Sequence, residues 1–301
     1  MTSSSTHIFK SVGACDIRAD VYTRLDARPR PVIVWLHGGA LIFGSRRMLP
    51  VAQVERYLDA GYTVVAADYR LAPETRLSQI LTDVQDAIAW VRDEGSRLFG
   101  TDSQRLAVAG HSAGGYLALL AGRHVRPRPR ALVAFYGYGE IVGPWYSTPS
   151  PFYCQQPLVR EAEARSVVGI APISEPPRTE AASGQAAPDR GRFYLYCRQQ
   201  GRWPQEVTGF DPRHDATALS PFCPVHHITA DYPPTLLLHG DRDSDVPHEQ
   251  SVMMARALTD AQVPHRLLTI PGGEHGFDAR ADDPIVAAAF LETMEFLAQH
   301  L

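Results

Sequence analysis

Short apolar segments recur along this chain with room for a helix between them, and that alternation is its main structural signal. Six of them are 31–38 (PVIVWLHG), 63–71 (TVVAADYRL), 105–112 (RLAVAGHS), 131–139 (ALVAFYGYG), 235–243 (TLLLHGDRD) and 265–273 (HRLLTIPGG). Most are apolar at consecutive positions, as parallel strands are when helices cover both sheet faces; a strand with one wet face alternates instead. The earlier segments HIFKSVG and DIRADVYTR do alternate, and they predict an antiparallel pair at the edge of the sheet. Eight strands are expected in all.

The stretches between strands read as helices. Ile80, Val84, Ala87, Ile88 and Val91 recur with the 3.6-residue period of a helix that buries one stripe. Val286, Phe290, Met294 and Leu297 do the same after Asp282 and Asp283, acids suited to capping a helix start. Strand–helix alternation predicts an α/β protein, an eight-stranded and mostly parallel sheet flanked by helices. Over residues 141–232 the rhythm stops. GPWYSTPSPFYCQQP, ISEPPRTEAASGQAAPDRG and YCRQQGRWPQEVTGFDP are rich in Pro, Arg, Gln and aromatics. Structureless connections of that length are uncommon inside compact domains, so this segment is expected to be an insertion with its own task, a lid. The expected organisation is a catalytic domain of residues 1–140 and 233–301, with 141–232 inserted as a cap or lid.

Composition narrows the class. Of 301 residues, 45% are hydrophobic and 21% charged, with a formal net charge of −4 and a pI of about 6.3. Nothing in that balance suggests a surface for nucleic acid or for an anionic membrane. No apolar run approaches the roughly 18 residues of a membrane span. The opening MTSSSTHIFKSVGAC has no basic segment leading into an apolar one, so no secretory leader is expected. Cys15, Cys154, Cys197 and Cys223 are widely spaced and read as free thiols rather than disulfides or metal ligands. A soluble, cytoplasmic protein is expected, with self-association as a homodimer left open.

Within 106–122 (LAVAGHSAGGYLALLAG) the chain passes from strand-like to helix-like sequence through Gly110-His111-Ser112-Ala113-Gly114. Gly-x-Ser-x-Gly is a weak signal alone. At a strand-to-helix turn it becomes the setting of a nucleophile elbow, with the helix N-terminus favouring negative charge beside Ser112. A serine hydroxyl needs a base, and the base needs an orienting carboxylate. Asp241, Asp243 and Asp245 follow the strand TLLLHG, and His275 lies in GGEHGFD after the last strand. Both loops leave the same C-terminal sheet edge as Ser112, the edge where open α/β sheets bind ligands. Among His248, His265, His275 and His300, only His275 occupies such a loop. An oxyanion requires preorganised donors. The segment 35–44 (WLHGGALIFG) offers the N–H groups of Gly38 and Gly39, to be joined by that of Ala113.

Other residues carry plainer readings. Asp68, Arg70 and Glu74 in DYRLAPE are expected to pin the glycine loop rather than touch substrate. His111 is expected to pack or cap within the elbow. His226 and His227 have no evident third metal ligand, and adjacent strand residues point to opposite faces. Trp145, Tyr146, Phe152, Tyr153, Tyr194, Tyr196 and Trp203 suit a pocket lining and the insertion's own core equally well.

Taken together, HGGA, DYRLAPE, GHSAGG, HGDRDSDVP and GGEHGF resemble the hormone-sensitive-lipase-like branch of the α/β-hydrolase fold, from about Pro31 to the C-terminus outside the insertion. The resemblance implies carboxylesterase or lipase chemistry on a small-molecule ester, with no metal or organic cofactor. It implies Ser112 as nucleophile, His275 as general base and Gly38, Gly39 and Ala113 as oxyanion donors, and its D-x-x-V-P pattern selects Asp243 as the carboxylate. Two departures matter. Ala40 stands where that branch usually has a third glycine, which adds a methyl on the acyl side. His37 also comes too early for the N-terminal cap helices common there, so cover is expected mainly from 141–232. The expected activity is a serine carboxylesterase for small to medium acyl esters, acting through an acyl-enzyme. The same machinery serves amidases, peptidases and arylformamidases. A relative with a broken triad can act as a small-molecule-binding module, and the presence of all three triad residues weighs against that.

Overall fold

All eight expected strands lie in one sheet. The computed structural model describes residues 2–24, 29–176, 189–280 and 282–301, so part of ISEPPRTEAASGQAAPDRG falls outside the described residues. The strands are β1 (Thr2–Val12), β2 (Cys15–Arg24), β3 (Arg30–Leu36), β4 (Thr63–Ala67), β5 (Thr101–His111), β6 (Ala131–Phe135), β7 (Thr235–Gly240) and β8 (His265–Ile270). Their order is β1-β2-β4-β3-β5-β6-β7-β8. The first two pair antiparallel with each other, and β2 pairs antiparallel with β4. Every other pair is parallel.

Helices α1 (Val51–Asp59), α2 (Leu77–Phe99) and α3 (Ala113–His124) precede residue 141. Within 141–232 lie α4 (Pro144–Ser147), α5 (Glu161–Arg165), α6 (Arg190–Gln200), α7 (Trp203–Thr208) and α8 (Ala216–Leu219), so the described part of that segment carries short helices joined by loops. Helices α9 (Glu249–Asp260) and α10 (Pro284–His300) complete the chain. The carboxylate of Asp283 accepts the Ile285 N–H at 2.9 Å, which caps α10. No helix among the described residues is long and apolar enough to cross a membrane.

The period-2 geometry of β3 divides the core. Val32, Val34 and Leu36 pack with residues of α2, α3 and α9, including Ile80, Val84, Leu117 and Met254. Ile33 and Trp35 face the other side, with Tyr57 and Leu58 of α1 and Phe290 and Leu297 of α10. The predicted stripe from Ile80 to Val91 is buried at every position named. Each such side chain removed from water contributes about 1.5–3 kcal/mol, so this seam holds α2 on the sheet.

Strand order places the site. From β3 the chain moves outward to β4, then returns past β3 to β5. The crevice at the C-terminal ends of strands where the order reverses is where such sheets take ligands. Gly38 follows β3 there, and Ser112 follows β5. One expectation changes: His226 and His227 lie in a short 3-10 helix, Pro224–His227, not in a strand.

Candidate active site

Ser112 joins β5 to α3 with φ 54° and ψ −118°, a conformation that few non-glycine residues adopt. The turn is held at both ends. Ser112 N–H donates to the Phe135 carbonyl at 2.8 Å, and its own carbonyl accepts from Tyr116 N–H at 3.0 Å. The flanking glycines are there for space. A Cβ on Gly110 would lie 2.4 Å from the Gly114 carbonyl, and one on Gly114 would lie 2.0 Å from the Leu36 oxygen. Neither contact is physically available, so glycine at both positions is a steric requirement of this crossing.

His275 bridges the serine to an acid. Its Nε2 lies 3.0 Å from Ser112 Oγ and its Nδ1 lies 2.7 Å from Asp243 Oδ2. The other carboxylate oxygen of Asp243 accepts the N–H groups of Asp245 and Val246, both at 2.9 Å. His239 Nε2 lies 3.3 Å from Asp243 Oδ2. That nitrogen carries its proton, because it also meets the Val246 carbonyl at 2.9 Å and a carbonyl only accepts. Burial pushes the Asp243 carboxyl up, but hydrogen bonds from His239 and His275 outweigh it and hold the group well below the usual carboxylate range. Burial likewise pulls the His275 imidazole down; the Asp243 hydrogen bond and the charges of Asp245 and Asp243 overcome this and leave it above its ordinary value. The Tyr136 ring stands edge-on to His275, centroids 4.7 Å apart, and limits its rotation.

Of the three candidate acids, only Asp243 reaches His275 Nδ1. Asp241 Oδ1 accepts the Gly272 N–H at 2.7 Å and ties two loops together. Asp245 Oδ2 sits 3.8 Å from His275 Nε2, on the serine side of the ring. Asp245 Oδ1 accepts from the Tyr194 hydroxyl at 2.6 Å and from Arg198 at 2.5 Å. The Arg198 guanidinium lies over the rings of Trp145, Tyr146, Tyr153 and Tyr194, at 4.7 to 5.7 Å from their centroids. The aromatics of residues 141–232 therefore divide. Tyr146 stacks between Trp145 and Trp203 in a local core. Tyr194 lines the cavity over Ser112, while Trp145 and Phe152 line a neighbouring one.

The loop after β3 is tightly bound. Gly39, Ala40 and Leu41 all have positive φ, at 104°, 54° and 63°. At Gly39 a Cβ would meet the Phe43 oxygen at 2.1 Å, so that position requires glycine. The Gly39 carbonyl accepts the N–H groups of Ile42 and Phe43, each at 2.9 Å. Among the described residues, the N–H groups of Gly38, Gly39 and Ala113 donate in none of the turn and loop hydrogen bonds. Trp203 Nε1 donates to the Ala40 carbonyl at 2.9 Å. Arg190 donates to the carbonyls of Ile42 and Ala72 and pairs with Glu74. Asp68 takes the Arg46 N–H and guanidinium just beyond the loop. Arg70 departs from expectation: it turns away to Asp83 on α2 at 2.7 Å.

Ser112, His275, Gly38, Gly39 and Ala40 share a cavity of about 290 Å³. Its floor holds residues that sequence reasoning missed. Asp278 accepts from the Tyr136 hydroxyl at 2.5 Å and from Gln53 Nε2 at 2.6 Å, and His111 Nδ1 lies 3.5 Å from it. The one available signal was an acid three residues after His275 in GGEHGFD.

A family model described as alpha/beta hydrolase fold matches residues 33–279. Among curated relatives, a non-reducing polyketide synthase of Aspergillus calidoustus is 32% identical over 95% of this chain, which spans 14% of that protein. Esterase LipC of Mycobacterium tuberculosis is 31% identical over 86% of this chain, which spans 56% of the esterase. Among solved structures, a Staphylococcus aureus protein of unknown function superposes with a TM-score of 0.76 at 22% identity, covering 100% of this chain and 99% of its own. A thermophilic esterase of Thermogutta terrifontis with propionate bound gives a TM-score of 0.68 at 24% identity, covering 98% of this chain and 94% of its own. At these identities the structural likeness is one of fold.

Proposed function

This chain belongs to the α/β-hydrolase family, in its hormone-sensitive-lipase-like branch, and from that premise we propose that it is a serine carboxylesterase for small to medium acyl esters. The observation that carries the reading is His275 set between Ser112 Oγ at 3.0 Å and Asp243 at 2.7 Å, over a cavity. Nε2 of His275 takes the Ser112 proton as the hydroxyl attacks the ester carbonyl. Asp243 keeps the Nδ1 proton in place and stabilises the imidazolium that forms. The N–H groups of Gly38, Gly39 and Ala113 receive the oxyanion, helped by the N-terminal end of α3. The imidazolium then protonates the leaving alcohol. A water deprotonated by His275 attacks the acyl-enzyme and releases the acid, which restores Ser112.

In this reading residues 141–232 form a cap. Its α6 and α7 grip the oxyanion loop through Arg190 and Trp203, and Tyr194 supplies part of the cavity wall. A cavity of about 290 Å³ lies just under the roughly 300–1,000 Å³ usual for ligand sites, which favours short acyl chains. The thiols of Cys15, Cys154, Cys197 and Cys223 are free, which suits a reducing compartment and the cytoplasmic location in this reading. The test is a series of p-nitrophenyl esters from acetate to dodecanoate, with matched anilides, on wild type and Ser112→Ala. Wild type is expected to cleave the short esters best and the anilides poorly, and Ser112→Ala to cleave nothing. Anilides cleaved faster than esters would make it an amidase, and turnover by Ser112→Ala would end the reading.

A further inference from the structure

Water carries the second half of the reaction above, and Asp245 stands beside the nitrogen that must deprotonate it. Asp245 Oδ2 lies 3.8 Å from His275 Nε2, on the serine side of the ring. The side chain is 14% exposed and lines the cavity over Ser112. Among the described residues Oδ2 accepts no hydrogen bond, and it is not one of the closed, unpaired polar atoms, so it is open to water. The rest of the residue is held firmly. Oδ1 accepts from the Tyr194 hydroxyl at 2.6 Å and from Arg198 at 2.5 Å. Arg198 also donates to the Asp245 carbonyl at 3.1 Å, and the Asp245 N–H donates to Asp243 Oδ1 at 2.9 Å. The carboxylate is therefore tied both to α6 and to the triad's own acid, with one oxygen left over.

Donors and acceptors define what suits that oxygen. A carboxylate oxygen only accepts, and so does Nε2 when the ring acts as the base. A single oxygen atom placed about 2.8 Å from each subtends an angle of about 85°, within the bend that hydrogen bonds tolerate. It must donate to both. Water does so and keeps a lone pair for the acyl carbon. An alcohol has one O–H; once that is given to Nε2, the anionic Oδ2 faces no donor. In the step this describes, the water oxygen bonds to the acyl carbon as Nε2 takes one proton. The other proton stays on that oxygen, turned toward Asp245. The tetrahedral intermediate then expels Ser112 Oγ, which takes the proton back from Nε2, and the carboxylic acid departs.

We propose that Asp245 orients the hydrolytic water through Oδ2 and so selects water over an alcohol as the acceptor of the acyl group. This rests on the esterase reading. The test is turnover of p-nitrophenyl butyrate in aqueous 1-propanol by wild type and Asp245→Asn. Released p-nitrophenol gives total turnover, and gas chromatography gives the ratio of propyl butyrate to butyric acid. In Asp245→Asn, Arg198 and Tyr194 hold the amide oxygen, so the NH₂ takes the place of Oδ2. That group donates, and an alcohol oxygen accepts from it as well as water does. The ratio is expected to rise about 10-fold or more. A purely structural or electrostatic loss slows both products together and leaves their ratio alone. An unchanged or lower ratio in a folded Asp245→Asn would therefore overturn the water-orienting role while leaving the esterase reading intact. If Asp245→Asn does not fold, Asp245→Glu keeps a counter-charge for Arg198 but displaces the free oxygen. It is expected to raise the ratio too, and an unchanged ratio there would equally overturn the role. No p-nitrophenol released by wild type would overturn both readings.

Discussion

Replacing Asp243 by Asn is an informative perturbation, because the surroundings dictate where the new nitrogen must go. One carboxylate oxygen accepts two backbone N–H groups at 2.9 Å, so the amide oxygen stays there. Turning the NH₂ toward those donors would leave both unpaired at roughly 1–3 kcal/mol each, about 2–6 kcal/mol together. The amide nitrogen then takes the place of the oxygen that lies 2.7 Å from His275 Nδ1. An N–H at that point needs an acceptor, so Nδ1 surrenders its proton and Nε2 carries it toward Ser112. A base protonated on that nitrogen cannot deprotonate the serine. Recovering the productive tautomer requires the flip, which corresponds to a loss of about 30- to 30,000-fold. Loss of the carboxylate charge beside the imidazolium adds to it, so kcat is expected to fall about 10³- to 10⁴-fold with KM little changed. Initial rates on p-nitrophenyl acetate measure this, and circular dichroism melting checks the fold. A folded variant within tenfold of wild type would refute the role given to Asp243.

The remaining predictions probe the base, the loop and the elbow. Wild-type kcat/KM is expected to rise with pH through the His275 pKa, because only the neutral ring accepts the Ser112 proton, and the midpoint should lie above the ordinary histidine value. Asp245→Asn removes a negative charge 3.8 Å from Nε2 that favours the imidazolium, so the acid limb of that profile should move to lower pH; a move to higher pH would contradict this. The same variant leaves the buried Arg198 guanidinium without its counter-charge and should lower Tm, reflecting about 3 kcal/mol. Ala40→Gly relieves a φ of 54° but frees the unfolded chain, so stability should stay within about 1 kcal/mol. The lost methyl should raise the ratio of isobutyrate to acetate hydrolysis, and an unchanged ratio would show that Ala40 does not shape the acyl side. Gly114→Ala would place a Cβ 2.0 Å from the Leu36 oxygen, so thermal melting should show at least about 3 kcal/mol of lost stability, or no folded protein.

The sheet was legible because its strands differ chemically from everything between them. Even the wet-faced edge pair announced itself by alternation, and β2 does alternate buried and half-buried positions. The strand readings ran too far at their C-terminal ends. β4 stops at Ala67 rather than Leu71, and β6 stops at Phe135 rather than Gly139. The overrun is buried apolar and aromatic sequence, where Tyr69, Leu71 and Tyr138 look like strand but form loops around the site. The helices within 141–232 were not legible at all. In α6, Arg190, Phe193, Tyr194, Tyr196, Cys197, Arg198 and Gln199 are all buried, so there is no single apolar stripe to read. Arg190 and Arg198 are buried through Glu74, Asp245 and stacked rings, partners that only the fold supplies. The same applies to Asp278, whose partners Gln53 and Tyr136 are remote in sequence. Residue spacing also left three acids open in DRDSDVP, and it is the loop's curvature that aims Asp243 at Nδ1 while Asp245 faces the cavity.

The central claim is that Ser112, activated by His275 and Asp243, is the nucleophile. Reacting the intact protein with a fluorophosphonate and locating the adduct by peptide mass spectrometry tests this most directly. The account predicts one adduct, on Ser112, formed in step with loss of esterase activity, and no adduct on Ser112→Ala. An adduct on another residue, or an unlabelled wild type that still hydrolyses esters, would contradict it.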